Sequence, residues 1–191
     1  MIKVLRERLY ITKQMIKMAG EKMKEIYLAG GCFWGMQRYF EQIQGVIDTQ
    51  VGYANGNIKN PTYENVCMGK TNFAETLYVR YDETKVTLLQ VLALYFKAID
   101  PTTLNRQGND VGTQYRTGIY YVDEADKETI KRVLKQEQKN YQRTIQTEVK
   151  ELHNYYPAEE YHQKYLRKHP NGYCHIGKEE FDYARNFKYS V

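Results

Sequence analysis

From Met23 onward the hydrophobic spacing switches repeatedly between a period of two and a period near 3.6, and that alternation limits the chain to a small set of layered folds. Residues 25–29 read as a short buried strand running into Gly30-Gly31. Residues 34–44 read as a helix, since Met36, Tyr39, Phe40 and Ile43 share one face and Gly45 supplies the stop. Strands follow over 46–53 and 73–81, with a helical turn over 62–67 between them. Thr87 and Gln90 form a capping box ahead of Leu88, Val91, Leu92, Tyr95 and Phe96, and Pro101 ends that helix. After a polar loop over 102–114 come a strand over 117–122, a helix over 125–141, a strand over 147–152 and a helix over 158–168. The tail from 171 to 191 has little pattern. The order β-α-β-β-α-β predicts an α+β two-layer sandwich, a ferredoxin-like plait with a mostly antiparallel sheet, long active-site loops and an extended C-terminal tail.

The net charge of +5 invites a nucleic-acid reading, but its distribution argues against one. Lys3, Arg6, Arg8, Lys13, Lys17 and Lys22 against Glu7 and Glu21 put all but one of those excess charges in residues 1–22. Gly20-Glu21 can be encoded so as to read as a bacterial ribosome-binding sequence ahead of Met23. Met23 is therefore the expected natural start, with residues 1–22 an N-terminal extension and 23–191 a single catalytic domain. No apolar run is long enough to span a membrane. The three cysteines are too few and too scattered for a disulfide scaffold or a structural zinc site, which favours a reducing, cytoplasmic setting. The many tyrosines suggest a core and cleft built from amphipathic aromatics.

Chemistry concentrates first at Gly30-Gly31-Cys32-Phe33-Trp34-Gly35. A thiol at the start of a helix faces unpaired backbone N–H groups, which lower its pKa and favour the nucleophilic thiolate. Phe33 and Trp34 offer an apolar wall suited to a small uncharged group such as a methyl. A thiolate that removes oxygen needs a proton donor, and Glu75, set among Phe73, Ala74 and Leu77, is the candidate; its other reading is a strand-edge carboxylate in water. In the polar loop, Asp110 can orient a backbone or a water, and Tyr115 can present its hydroxyl to an oxyanion. Cys174, between Gly172 and Gly177 in the tail, suits a resolving thiol or a spare surface cysteine, while Cys67 reads as a small buried hydrophobe. His153, His162, His169 and His175 raise the idea of a Cys–His pair, though His162 fits packing better.

Taken together these blocks resemble the type A peptide methionine sulfoxide reductases, over essentially all of residues 24–178. The resemblance rests on Gly31-Cys32-Phe33-Trp34-Gly35, Val51-Gly52-Tyr53, Pro61-Thr62-Tyr63 with Val66-Cys67, and Ala74-Glu75. It continues through Gln107-Gly108-Asn109-Asp110, Gly112-Thr113-Gln114-Tyr115-Arg116, Ala158-Glu159 with Tyr161-His162-Gln163, and Gly172-Tyr173-Cys174. It implies Cys32 as nucleophile on the sulfoxide sulfur and Glu75 as proton donor to the sulfoxide oxygen. The hydroxyls of Tyr53 and Tyr115 would bond to that oxygen, Phe33 and Trp34 would hold the substrate methyl, and Asp110 would order the site. Cys32 would pass through a sulfenic acid to a disulfide with Cys174, which thioredoxin would reduce, and the S epimer at sulfur would be the substrate. Oxidised methionine in proteins, and free methionine sulfoxide as a second substrate, are implied; no metal or organic cofactor, nucleic acid or membrane is, and the chain is expected to be a monomer. One departure is Asn72-Phe73, where the family has a Gly-His pair, and it predicts altered packing beneath Glu75. The competing readings are a Cys–His acyl transferase and a module that binds methionine-rich or oxidised segments without turning them over.

Overall fold

The computed structural model describes residues 22–187. The expectations for residues 1–22, Lys22 apart, and for the last four residues lie outside that range. Lys22 accepts the Glu83 N–H on its carbonyl and pairs with the Glu83 carboxylate.

The fold is mixed, with helices packed on a mostly antiparallel central sheet. Four long strands form its centre: β1 (Met23–Gly30), β2 (Val46–Ala54), β3 (Ala74–Asp82) and, after a small hairpin of β4 (Arg106–Gln107) and β5 (Asp110–Val111), β6 (Thr117–Tyr121). Their neighbours run β6, β1, β3, β2, all antiparallel. The edges are extended by β7 (Glu148–Glu151), parallel to β6, and by β8 (Tyr155–Pro157), antiparallel to β2. The helix α4 (Glu124–Glu137) makes the crossover that a parallel β6–β7 pair requires.

Strand alternation sorts the side chains between two faces. Ile26 and Leu28 of β1, Val51 and Tyr53 of β2, and Leu77, Val79 and Tyr81 of β3 point toward the helices and form the main core. There they meet α1 (Phe33–Phe40) and α3 (Leu88–Ala98), which bury Phe33, Met36, Tyr39, Phe40, Val91, Leu92 and Tyr95. The opposite face carries Ala29, Ala54, Ala74 and Tyr120, screened by Tyr27 and Tyr155. Tyrosine suits both faces because its hydroxyl can find a partner: Tyr95 donates to the Ala29 carbonyl at 2.7 Å and Tyr120 to Glu148 at 2.7 Å.

Several expected elements are shorter or differently built. The first helix stops at Phe40 and not at residue 44, because a tight turn, with the Ile43 N–H on the Phe40 carbonyl, leads into Gly45 at φ +98°. Only α5 (Tyr165–Lys168) remains of the helix expected over 158–168. Tertiary hydrogen bonds displace the rest: the Lys164 N–H goes to the Gln37 side chain at 2.7 Å, and the Gln163 amide bonds both the N–H and the carbonyl of Val51. The tail contains α6 (Lys178–Arg185), whose Phe181 packs edge-on to Tyr39 of α1. The short α2 (Tyr63–Cys67) buries Val66 and leaves Cys67 exposed, contrary to the expectation of a buried thiol. One apolar position per turn is all a five-residue helix needs, and Val66 fills it.

Candidate active site

Cys32 is the N-cap of α1, held where β1 ends. Gly31 sits at φ +79°, and a Cβ there would come within 2.5 Å of the Gln107 side chain, so the turn excludes any other residue. Gln107 is itself fixed by two hydrogen bonds to the Asp100 backbone, which ties the polar loop to the end of α3.

Parity settles where Glu75 points. It shares a face of β3 with Leu77, Val79 and Tyr81, so it enters the helix-side core and is 2 % exposed. Its Oε2 accepts the Phe33 N–H at 3.0 Å, one of the orphan donors at the start of α1. The reading of Glu75 as a solvent-facing carboxylate is therefore excluded. Burial pushes its pKa up to about 8, against the opposing Phe33 N–H and with a further push from Asp110, so the acid keeps its proton at neutral pH.

The expectation of a low thiol pKa at Cys32 is overturned. The residue is 7 % exposed, and burial drives the pKa well above the ordinary thiol value, with the charges of Glu75 and Asp110 adding to the rise. The backbone N–H groups of Trp34 and Gly35 do favour the thiolate, as a helix N-terminus should, but desolvation outweighs them. The resting site thus holds two protons, one on sulfur and one on the carboxyl.

Tyr53 lies directly opposite Glu75 across the β2–β3 ladder, with its ring 5.9 Å from that of Phe33. Its hydroxyl donates to Glu159 Oε2 at 2.8 Å. Phe33 is buried, and Trp34 is half-buried, stacked 3.8 Å from Tyr165 and donating its indole N–H to His162 Nδ1 at 3.1 Å. Burial depresses the His162 pKa, and the ring also meets Phe33 and Tyr63, so it orders the aromatic wall by packing and by accepting one hydrogen bond.

Tyr115 closes a single 3-10 turn, Thr113–Tyr115, and lies close enough to Glu75, Asp110 and Cys32 for their charges, after burial, to raise its pKa. Arg116 fixes that turn by donating to the carbonyls of Thr113 and Asn72 and pairing with Glu148 at 2.8 Å. Asp110 accepts the Tyr173 hydroxyl at 3.1 Å, which joins the polar loop to the tail. Cys174 follows, half-buried and reduced; a Cβ on Gly35 would stand 2.9 Å from its sulfur, so the tail packs on the first turn of α1.

His175 wedges against the same turn, near Gly31 and Gly35, and burial lowers its pKa to about 4. The Gly30 carbonyl lies near enough to favour the charged ring, but neither ring nitrogen makes a hydrogen bond of normal geometry with the described residues. No imidazole is therefore bonded to Cys32 among the described residues, which removes the Cys–His reading. The Asn72-Phe73 departure is accommodated locally. Asn72 takes φ +56°, a conformation asparagine tolerates, and the Phe73 ring lies over Gly56 and edge-on to Tyr156.

Sequence reasoning missed Glu159 and Arg116 as organisers of the site. Their signal was present in the motif blocks, but nothing in one chain says which strand a carboxylate or guanidinium will reach. No group of three or more His, Cys, Asp or Glu side chains that could hold a metal occurs among the described residues.

Comparison with known proteins gives the same direction. The family model described as peptide methionine sulfoxide reductase matches residues 24–189. The peptide methionine sulfoxide reductase MsrA of Clostridium perfringens strain 13 is 60% identical over 154 residues, covering 81% of this chain and 98% of the relative. Among solved structures, reduced Mxr1 from Saccharomyces cerevisiae aligns with a TM-score of 0.77 at 40% identity, over 80% of this chain and 89% of the other. Mxr1 in complex with Trx2 aligns with a TM-score of 0.56 at 29% identity, over 75% and 85%.

Proposed function

The chain belongs to the peptide methionine sulfoxide reductase family, type A, a family of thiol-dependent oxidoreductases, and from that premise we propose a specific division of labour in its site. Glu75 gives its proton to the sulfoxide oxygen, which makes the sulfur electrophilic, and Cys32 attacks that sulfur. Oxygen ends on Cys32 as a sulfenic acid and methionine leaves. The proton lost by the Cys32 thiol makes good the one given by Glu75, so this half-reaction takes up and releases no net proton. A thiol that is protonated at rest is thus compatible with the chemistry: once Glu75 has given its proton to the oxygen, its carboxylate is the base that takes up the proton of the Cys32 thiol.

Tyr115 and Tyr53 bond the oxygen, Phe33 and Trp34 hold the methyl, and Asp110 orders the loop that brings Tyr115 to the site. Cys174 then attacks the sulfenic sulfur: an S–S bond forms, the S–O bond breaks and the oxygen departs as water. The Mxr1 complex with Trx2 supports thioredoxin as the reductant of that disulfide. The substrate is the S epimer of oxidised methionine in proteins and, for free methionine sulfoxide, the same group without its chain. The four central strands in the order β6-β1-β3-β2 are read as a ferredoxin-like plait, and residues 23–191 as one catalytic domain acting as a cytoplasmic monomer. No helix among the described residues is long and apolar enough to cross a membrane.

The observation that carries the proposal is the buried Glu75 carboxyl, hydrogen-bonded to the first turn of the helix that Cys32 caps. One mass-spectrometric experiment tests it. One equivalent of an N-acetylated methionine-(S)-sulfoxide amide should give one methionine and a two-dalton loss mapped to Cys32–Cys174. Cys174→Ser should still release about one methionine per enzyme but fail to cycle with thioredoxin, and Cys32→Ser should release none. Methionine release by Cys32→Ser would refute the nucleophile, and full cycling by Cys174→Ser would refute the resolving thiol.

A further inference from the structure

The Tyr53 hydroxyl has one proton, and in this structure that proton points at Glu159. Glu159 is well placed to keep it. Burial pushes its carboxyl pKa up, but its own N–H, the Tyr63 N–H and the Tyr53 hydroxyl together hold it below the ordinary value, so it is an anion at neutral pH. Its other oxygen accepts the Tyr63 N–H at 2.9 Å, the first orphan donor of α2. One carboxylate therefore ties β2, α2 and the turn after β8 to a single point. Hydrogen bonds to an ionised acceptor are roughly twice as strong as neutral ones, so Tyr53 is held firmly.

A sulfoxide oxygen is an acceptor only. Toward it, a phenol whose proton is committed elsewhere presents lone pairs, and two acceptors repel. Tyr115 shows no such commitment: no hydroxyl hydrogen bond is found for it among the described residues, while Tyr53 lies opposite Glu75 with its proton turned away. The two tyrosines are not equivalent in the resting site.

We infer that Glu159 is a positioning residue that sets the direction of the Tyr53 proton, and that productive sulfoxide binding requires Tyr53 to exchange Glu159 for the substrate oxygen. This rests on the reductase reading above. The exchange is a rotation of the O–H about the phenol C–O bond, with no covalent bond made or broken. Substrate affinity then reflects the difference between two hydrogen bonds, one to a carboxylate and one to a sulfoxide.

The test separates holding a shape from holding a proton. In Glu159→Gln the amide oxygen can still accept the Tyr63 N–H, while the NH₂ group faces the Tyr53 oxygen as a donor and releases the phenol proton. KM for N-acetyl-methionine-(S)-sulfoxide amide should fall by about three- to tenfold, the span of one ordinary hydrogen bond, with kcat little changed. Rates are taken per active site, titrated by the single-turnover release of methionine, so unfolded molecules do not contribute. The gain must vanish in a Tyr53→Phe background, where there is no proton to redirect. A higher KM in Glu159→Gln, or the same gain with and without the Tyr53 hydroxyl, would overturn the inference. Failure of the reductase reading shows separately, as no methionine released by the unaltered enzyme.

Discussion

Glu75 and Tyr53 face each other from adjacent strands, whereas Asp110, Tyr115 and Cys174 arrive on a hairpin, a single 3-10 turn and the C-terminal tail. The strand-borne pair is buried and locked by a register that a one-residue slip would destroy, because the slip would turn Glu75 out of the core. The loop-borne groups are half-exposed and held by a few side-chain bonds, such as Tyr173 to Asp110 and Arg116 to Thr113 and Asn72. The difference matches the two chemical tasks. Proton donation to a developing hydroxyl wants a dry, fixed acid, while disulfide formation wants a thiol that can travel.

The largest effect should come from the sheet side. Glu75→Gln keeps an acceptor for the Phe33 N–H but removes the proton, and methionine release should slow by about 10²–10⁴-fold. In the unaltered enzyme the same step should decline as pH rises through about 8, where Glu75 loses its proton. The stability sign follows from linkage. A carboxyl with ordinary pKa 4.5 raised to about 8 favours folding fully below 4.5, and that contribution drains away as pH climbs to about 8. Glu75→Gln lacks this drain, so its stability relative to the unaltered chain should improve across that window, by an amount on the order of a few kcal/mol. Urea unfolding at pH 5 and pH 9 reads it directly. A flat pH dependence in the unaltered chain would mean that Glu75 is not a buried acid.

The same contrast explains what the sequence could tell. Strand and helix periods in residues 23–121 placed the central strands and α3 to within about two residues, because short apolar runs bounded by turn residues and a 3.6-residue stripe can both be read from spacing. The parity of Glu75 was implicit in its spacing from Leu77 and Val79. The segments after residue 141 were harder. Glu148, Gln163, Lys164 and the tail are placed by partners over 20 residues distant, and such bonds leave no period. The α6 helix was missed because its apolar contacts are few and most of its surface is charged. The thiol pKa of Cys32 went wrong for a related reason. A helix start can be read from sequence, but the depth of burial that outweighs it cannot.

At the tail that carries Cys174 the effects should be smaller and fall on the second step. Gly35→Ala places a methyl 2.9 Å from the Cys174 sulfur without demanding an unusual backbone angle, so the tail must move and α1 need not. Release of the first methionine should remain near one per enzyme. Appearance of the Cys32–Cys174 disulfide, followed by quenched-flow alkylation, should slow by about 10- to 100-fold, the usual consequence of misplacing a reacting atom by an ångström or so. If the first step slows equally, the two walls are mechanically one unit and the contrast fails.

The smallest effect tests the single bond that joins loop to tail. Tyr173→Phe removes the hydroxyl that Asp110 accepts at 3.1 Å, in an exposed setting where such a bond contributes about 0.5–1.5 kcal/mol. Without it Cys174 spends less time against α1, and disulfide formation should slow by about two- to tenfold. Asp110 should respond as well. Burial raises its pKa while the Tyr173 bond pulls it down, so losing that bond leaves burial less opposed and lets Asp110 hold its proton to higher pH. The variant should therefore resolve more slowly yet react more readily with iodoacetamide at Cys174, because a tail released from Asp110 leaves that thiol more exposed. Slower resolution together with slower alkylation would show that Tyr173 supports the tail in some other way, and that this bond does not connect the two walls.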